Sequence, residues 1–303
     1  MKASRNTGRK FLAACFGSDI YEFSRYLPSY EVADLFLMPT PLHRKVLASQ
    51  FYKPVYYLPE AIDPIAGTDS QHPPTFPIKQ TSRLLWFGYA ESFNKGMASL
   101  IPVLRLHLAA DRITDFSLIV NEAEFKNEFN FPTIPYRNDS FQKEATAFDY
   151  CILSHFSLDL ALNSYIKSPN KLVTSLMAGL IPIASDTPSY SALLREFRLD
   201  RFLFDSPEQL DQILRNLDPA NDSQAIIDSG VIETLWQRFS TPQLAKDFLS
   251  ILSQYNDREA PSFANISPQM ISPPRPRNEL YFTEHLKDLL PSFKRALRNR
   301  TSR

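Results

Sequence analysis

Short apolar runs and amphipathic stretches alternate along the first part of the chain. FLAACF, DLFLMP and PVYYLP have the length and content of buried strands. A segment around Tyr21 to Tyr30 separates the first two, and the helical pattern PLHRKVLASQF separates the last two. Strands alternating with helices predict a parallel sheet. The stretch from Asp63 to Gln80 breaks the pattern with Pro64, Pro73, Pro74 and Pro77, and it reads as an interdomain connection.

The pattern then restarts more completely. RLLWFG, FSLIV, FPTIPY and YCILSH are the expected strands, with helices from about Met97 to Ala110 and from about Ser140 to Ala147 between them. PNKLVTSLMAG is a helix by the spacing of Leu172, Leu176 and Met177, and LIPIAS is a short buried strand. SYSALLREF, RFLF and PEQLDQILRNL continue the succession as helix, strand and helix, and IETLWQRFSTPQLAKDFLSILSQY closes it as a helical stretch. Repeated strand and crossover helix predict a doubly wound sheet. Beyond it, Pro261, Pro268, Pro273, Pro274 and Pro276 mark a second linker, followed by an amphipathic tail interrupted by Pro291.

Composition narrows the partners. A length of 303 residues predicts one complete α/β domain plus a partial second domain or tail. The formal net charge of +0 supplies no global field for nucleic acid, and none is expected as a partner. Charge gathers only in the tail, where Lys287, Lys294, Arg295, Arg298, Arg300 and Arg303 face the single carboxylate Asp288. That tail suits either a peripheral contact with anionic headgroups or docking on the protein's own surface. No run reaches the roughly 18 apolar residues of a membrane span. FLAACF is too short for a signal-peptide core, so the default compartment is the cytoplasm. Cys15 and Cys151 each sit in apolar runs as small buried hydrophobes.

Ligands of an open α/β sheet bind beyond the carboxyl ends of its strands, which directs attention to three loops. In GYAESFNKG, Gly88 and Gly96 let backbone approach a ligand, and Lys95 places a cation near the expected helix start at Met97. A glycine turn that merely caps a strand fits the same residues. In KSPNKL, Ser168 fits an N-cap and Pro169 the first helical position. Lys167 and Lys171 there sit at the positive end of a helix dipole, a conflict that a bound phosphate resolves. In IPYRNDSF, Tyr136 and Arg137 are placed to line a pocket, or a plain loop. His43, His72, His107 and His285 read as surface or helix positions, and His155 alone, at a strand's end, faces the expected cleft.

These loops resemble the carboxyl-terminal domain of the GT-B glycosyltransferases, in the retaining, family 4 type of group that includes sucrose and glycogen synthases. SPNKLVTSLMAGLIPIASDTPSY is similar to the family's nucleotide-binding helix, turn and strand. WFGYAESFNKG resembles its diphosphate-binding loop, and IPYRNDSFQKEATAFDYCIL its base-pocket strand, helix and strand. ADLFLMPTPLHRKVLASQFYKPVYYLPEAID looks like the end of the amino-terminal domain, and FGSDI like a cleft-facing motif within that domain. The resemblance implies a GT-B-like α/β fold with one complete Rossmann-like domain (67–256), a partial amino-terminal, acceptor-side Rossmann-like domain (1–66) and a Pro-rich, basic tail (257–303). It implies no metal and no cofactor beyond a nucleotide-diphosphate sugar as co-substrate.

Carried over by position, Lys95 and Lys171 take the catalytic role of neutralising the leaving diphosphate. Gly88, Tyr89, Asn94 and Gly96 fall in the phosphate loop, Ser168 and Asn170 beside the diphosphate and sugar, and Tyr136 and Arg137 at the base. Gly17, Ser18, Asp19 and His155 face the cleft. Two positions depart from the pattern. Tyr89 stands where many members have Arg, and Thr174 stands where a carboxylate binds the ribose, with Ile166 at the earlier glutamate position. A threonine hydroxyl cannot accept both ribose protons as a carboxylate can. The expected activity is hexosyl transfer from a nucleotide sugar to a glycan or lipid-linked acceptor, as in polysaccharide biosynthesis. The alternative is a truncated, inactive nucleotide-sugar-binding or interaction module. A dinucleotide-dependent oxidoreductase is disfavoured because no G-x-G-x-x-G follows a strand.

Overall fold

A computed structural model of the protein describes residues 14–16, 33–49, 53–62, 72–121, 125, 128–137, 140–155 and 166–256. The segment around Tyr21 to Tyr30, the FGSDI positions Gly17, Ser18 and Asp19, His285 and the tail from 257 onward lie outside them.

Ala14–Phe16 (β1), Leu35–Met38 (β2) and Val55–Tyr57 (β3) form a three-stranded parallel sheet in that order. Helix Pro41–Ala48 (α1) connects β2 to β3. It begins where Thr40 accepts the His43 amide at 3.0 Å and Pro41 supplies a helical φ at no hydrogen-bond cost. Successive residues of β2 point to opposite faces, and the packing follows that period. Phe36 and Met38 join Leu47 of α1, while Leu35 and Leu37 join Leu58 on the other face.

The second block opens with Arg83–Gly88 (β4), helices Ala90–Met97 (α2) and Ile101–Ala109 (α3), and strands Asp115–Val120 (β5) and Thr133–Pro135 (β6). Phe141–Ala145 (α4) and Tyr150–Leu153 (β7) follow, then Asn170–Met177 (α5), Ile181–Ser185 (β8), Pro188–Glu196 (α6) and Leu203–Phe204 (β9). Four helices complete it: Pro207–Arg215 (α7), Pro219–Asp228 (α8), Val231–Phe239 (α9) and Thr241–Asn256 (α10). The strands form one parallel sheet in the order β6-β5-β4-β7-β8-β9. Its central strands are buried along their length, as a sheet covered by helices on both faces requires.

The chain therefore builds outward from β4 to β6 on one side, then returns to lay β7 on the other side of β4. That reversal is the topological switch point, and in open α/β sheets ligands bind beyond the carboxyl ends of the two strands that flank it. The register between β4 and β7 runs only over Leu84↔Tyr150 and Leu85↔Cys151. Pairing with β5 continues to Gly88↔Val120, so the end of β4 stays attached on one side only.

Several expectations are corrected. The helix placed from Met97 to Ala110 is two helices, and the first starts at Ala90, immediately after the strand. The closing helical stretch is broken at Ser240, whose backbone is extended, and Pro242 follows in the first turn of α10. PANDSQAIID, too polar to show an apolar stripe, is helix α8, capped by Asp218 on the Asn221 amide. His43 and His107 lie in helices, one of the two places expected of them, but both are buried: Nε2 of His107 lies 2.8 Å from Asp211 of α7. Helix α10 sets Leu244, Phe248, Ile251 and Tyr255 against Leu35, Leu37 and Leu58, so it packs on the small sheet. The described end of the Pro-rich connection is pinned: Phe76 is in the core and Lys79 donates from Nζ to the Phe148 carbonyl at 2.7 Å.

Candidate functional site at the switch point

Strand β4 ends at Gly88, whose φ of 154° lies outside the range that side chains adopt readily. The reason is beside it. A Cβ on Gly88 would lie 2.4 Å from Nζ of Lys171 and 3.0 Å from the Trp86 ring. Lys171, in the first turn of α5, reaches across the end of β4 and donates to the Phe87 carbonyl at 3.1 Å. Its ammonium lies 5.3 Å from the centre of the Trp86 ring and 5.7 Å from that of Phe87. Among the described residues no carboxylate pairs with it. Burial, and then the charge of Lys167, hold its pKa down at about 8. A cation with one carbonyl and two ring faces for company is poised to gain an anion.

Helix α2 starts at Ala90 with Tyr89 as its N-cap and no side-chain cap bond. The Ala90 amide instead donates to Oδ1 of Asn121 at the end of β5, at 3.2 Å. Tyr89 is 68% exposed, and Asn94 is exposed on the helix. Lys95 and Gly96 lie within α2, not in a loop before it. Gly96 serves packing: a Cβ there would come 3.1 Å from Oγ of Ser154 and 3.3 Å from its carbonyl, so the glycine lets α2 close on the end of β7.

Beyond β7, the His155 amide donates to Oγ of Ser185, whose hydroxyl donates to the Leu153 carbonyl. The imidazole stacks on Tyr190 of α6 and lies 2.9 Å from its hydroxyl through Nε2. Burial, with Lys167 and Lys171 nearby, depresses the His155 pKa to about 3. It is a neutral, fixed ring at physiological pH. Burial pushes the Tyr190 phenol up, so that partner keeps its proton.

At α5, the helix starts at Asn170 with Pro169 as its N-cap and no side-chain cap bond, so Ser168 and Pro169 each stand one position before the places expected of them, although the Asn170 amide does donate to Oγ of Ser168 at 3.2 Å. Thr174 is 8% exposed. Helix α5 ends at Gly179, φ 74°, where Pro77 packs 2.9 Å from the position of a Cβ. On the far side of β4, Tyr136 follows β6 and rests on Phe141, which rests on Phe87. The Arg137 carbonyl accepts the Phe141 amide at the start of α4, and its side chain is exposed.

The structure thus brings Gly88, Lys171, Ser168, Asn170 and His155 together at the carboxyl ends of β4 and β7, with Tyr136 linked to Phe87 through Phe141. Asn121 and Tyr190 also belong there and carry no sequence signal: each is defined only by a partner far along the chain.

This is the GT-B glycosyltransferase fold, α/β with Rossmann-like parallel sheets. No family model matches the sequence, and no curated protein matches it. Among solved structures it is similar to TarM, with TM-score 0.53, 15% identity, and 76% of this chain covered against 45% of that one. It is similar to sucrose-phosphate synthase from Thermosynechococcus elongatus, with TM-score 0.53, 11% identity and coverage of 84% and 70%. The alpha,alpha-trehalose-phosphate synthase (UDP-forming) from Burkholderia vietnamiensis gives TM-score 0.53, 12% identity and coverage of 82% and 69%. The chain spans less than half the length of TarM.

Proposed function

We propose that the protein transfers a sugar from a nucleotide-diphosphate sugar to a glycan or lipid-linked acceptor, without a metal. The observation that carries this reading is the Lys171 ammonium, held over the end of β4 with no carboxylate partner among the described residues, at the switch point of a GT-B fold. In such a transfer the bond between the sugar's anomeric carbon and the diphosphate breaks, and the acceptor oxygen takes its place as its proton departs. Charge grows on the leaving diphosphate, and a fixed cation beside it stabilises that charge more in the transition state than in the ground state. Lys171 takes this role directly. Lys95, on α2, shares it in our reading, with Ser168 and Asn170 at the diphosphate and Tyr136 and Arg137 at the base. The division into an acceptor-side domain (1–66) and a donor domain (67–256), whose last helix α10 returns to pack on the first, belongs to the same proposal, as does the hexosyl class of the donor. The UDP-forming neighbour supports UDP as the first nucleotide to test.

UDP is expected to raise the melting temperature, and Lys171→Ala to weaken its binding by about tenfold or more, as for a lost hydrogen bond to a charged group. If UDP, GDP, ADP and dTDP all leave the melting curve in place at about millimolar concentration, far above the usual range for a nucleotide site, the donor site is wrong.

A second reading, a nucleotide-sugar-binding module without transfer, is favoured by Tyr89 and Thr174. The former offers an exposed phenol where the resembled family has a cation, and the latter a buried hydroxyl in place of a carboxylate. Binding of UDP together with loss of the sugar from a UDP-sugar in the presence of protein would eliminate it.

A further inference from the structure

A side chain at the end of the small sheet holds the segment that carries Lys171. Thr40 stands between β2 and α1 and is only 3% exposed. Its hydroxyl accepts the His43 amide at 3.0 Å and donates to the Ile166 carbonyl at 3.1 Å. A hydroxyl has one proton to give and lone pairs to accept with, so both bonds form without competition. Ile166, itself buried, opens the segment that continues through Lys167, the Ser168–Asn170 turn and Lys171.

We propose that Thr40 is a positioning residue for the cationic segment 166–171, its hydroxyl fixing the backbone at Ile166 and thereby the place of the Lys171 ammonium over the end of β4. This rests on the donor-site reading above for its functional consequence, though not for its structural one. Lys171 reaches the Phe87 carbonyl only from the first turn of α5, and the backbone leading into that turn has its buried carbonyl held by a residue of the other sheet. An unanchored carbonyl at Ile166 would seek another partner and carry the turn with it. Thr40 also caps α1, so the same hydroxyl ties the start of that helix to the segment that leads into α5.

The test separates the two bonds of that hydroxyl. Thr40→Ser keeps donor and acceptor. Thr40→Asp keeps an acceptor for His43 and cannot donate to Ile166, and Thr40→Gly has neither but is tolerated at an N-cap. Hydrogen exchange at the amides of 167–173 should be about fivefold faster in Thr40→Asp and Thr40→Gly, the effect of one lost hydrogen bond. It should match the wild type in Thr40→Ser, while the amides of β7 and β8 stay unchanged in all three. Calorimetric titration with UDP should show a loss of affinity by a similar factor in the same two variants and none in Thr40→Ser.

If Thr40→Asp fails to fold, Thr40→Gly decides the matter. Wild-type exchange at 167–173 in the donor-less variants, or faster exchange spread evenly over the chain, overturns the anchoring. Faster local exchange with unaltered UDP affinity overturns the positioning role. A wild-type protein that binds none of the four nucleoside diphosphates sinks the donor reading, and the exchange measurements still settle the anchor.

Discussion

Gly88 and Lys171 act as one unit, because the space a side chain would take at the first is filled by the ammonium of the second. Gly88→Ala must displace that ammonium and also adopt a φ of 154°, which alanine resists. The nearest obstacle is the tip of a flexible side chain, so the fold should survive with a loss of about 1 kcal/mol or somewhat more. Nucleotide binding should fall further than stability does. Equal UDP affinity in a folded Gly88→Ala protein would separate the glycine from the site.

The pKa of Lys171 gives a second prediction at this scale, with opposite signs for folding and binding. Its folded pKa of about 8 is depressed from 10.5, so the unfolded chain holds the extra proton and stability rises as pH climbs through that interval. A diphosphate needs the ammonium. UDP affinity should therefore be flat from about pH 7 to 8 and weaken by up to about tenfold per unit above it, with proton uptake on binding. Lys171→Arg should remove the alkaline loss, since a guanidinium stays charged. Affinity independent of pH up to about 9.5, well beyond the depressed pKa, would contradict a role for this ammonium.

Among the elements, those buried on both faces were legible in sequence. RLLWFG, FSLIV, YCILSH and LIPIAS are nearly unbroken apolar runs because helices cover both sides of the sheet they form. The start of α2 was not legible. Tyr89 provides no capping side chain, and the bond that replaces it comes from Asn121, beyond the next strand. Gly96 suggested a loop for the same local reason, although it is there to admit Ser154. The cationic helix start at Ser168 to Lys171 could be read to within one residue, the N-cap falling on Pro169 rather than Ser168, since helix-start and dipole effects depend on neighbours in sequence. Its contact with Gly88 could not, and neither could the burial of His107 against Asp211. Nor did the pattern reveal that α10, continuous with α9 as a stripe of apolar residues, changes sheets at Ser240. Ile251→Ala tests that assignment: cutting a buried isoleucine back should destabilise the fold by about 2 to 4 kcal/mol. Exchange should rise first in β2 and β3, and protection lost first in β7 or β8 would place α10 elsewhere.

For the molecule as a whole, the covalent path between the sheets is crossed twice, once after Ile62 and once after Phe239. The Ile62 amide donates to the Phe239 carbonyl at 2.9 Å, so the two crossings lie side by side. The small sheet is thus joined to the large one by neighbouring strands of backbone, and the Thr40 bond to Ile166 is a further link among the described residues. The connection before β4 carries the sequence from one sheet to the other, and α10 carries it back.

That return gives the chain the property of a parcel tied with its own string. A protease site inserted between Ile62 and His72 would sever the polypeptide into two pieces, yet the later piece would still clasp the earlier one through α10. The fragments should elute together from a sizing column and separate only in denaturant, and the nicked protein should keep the melting behaviour of a single body rather than of two.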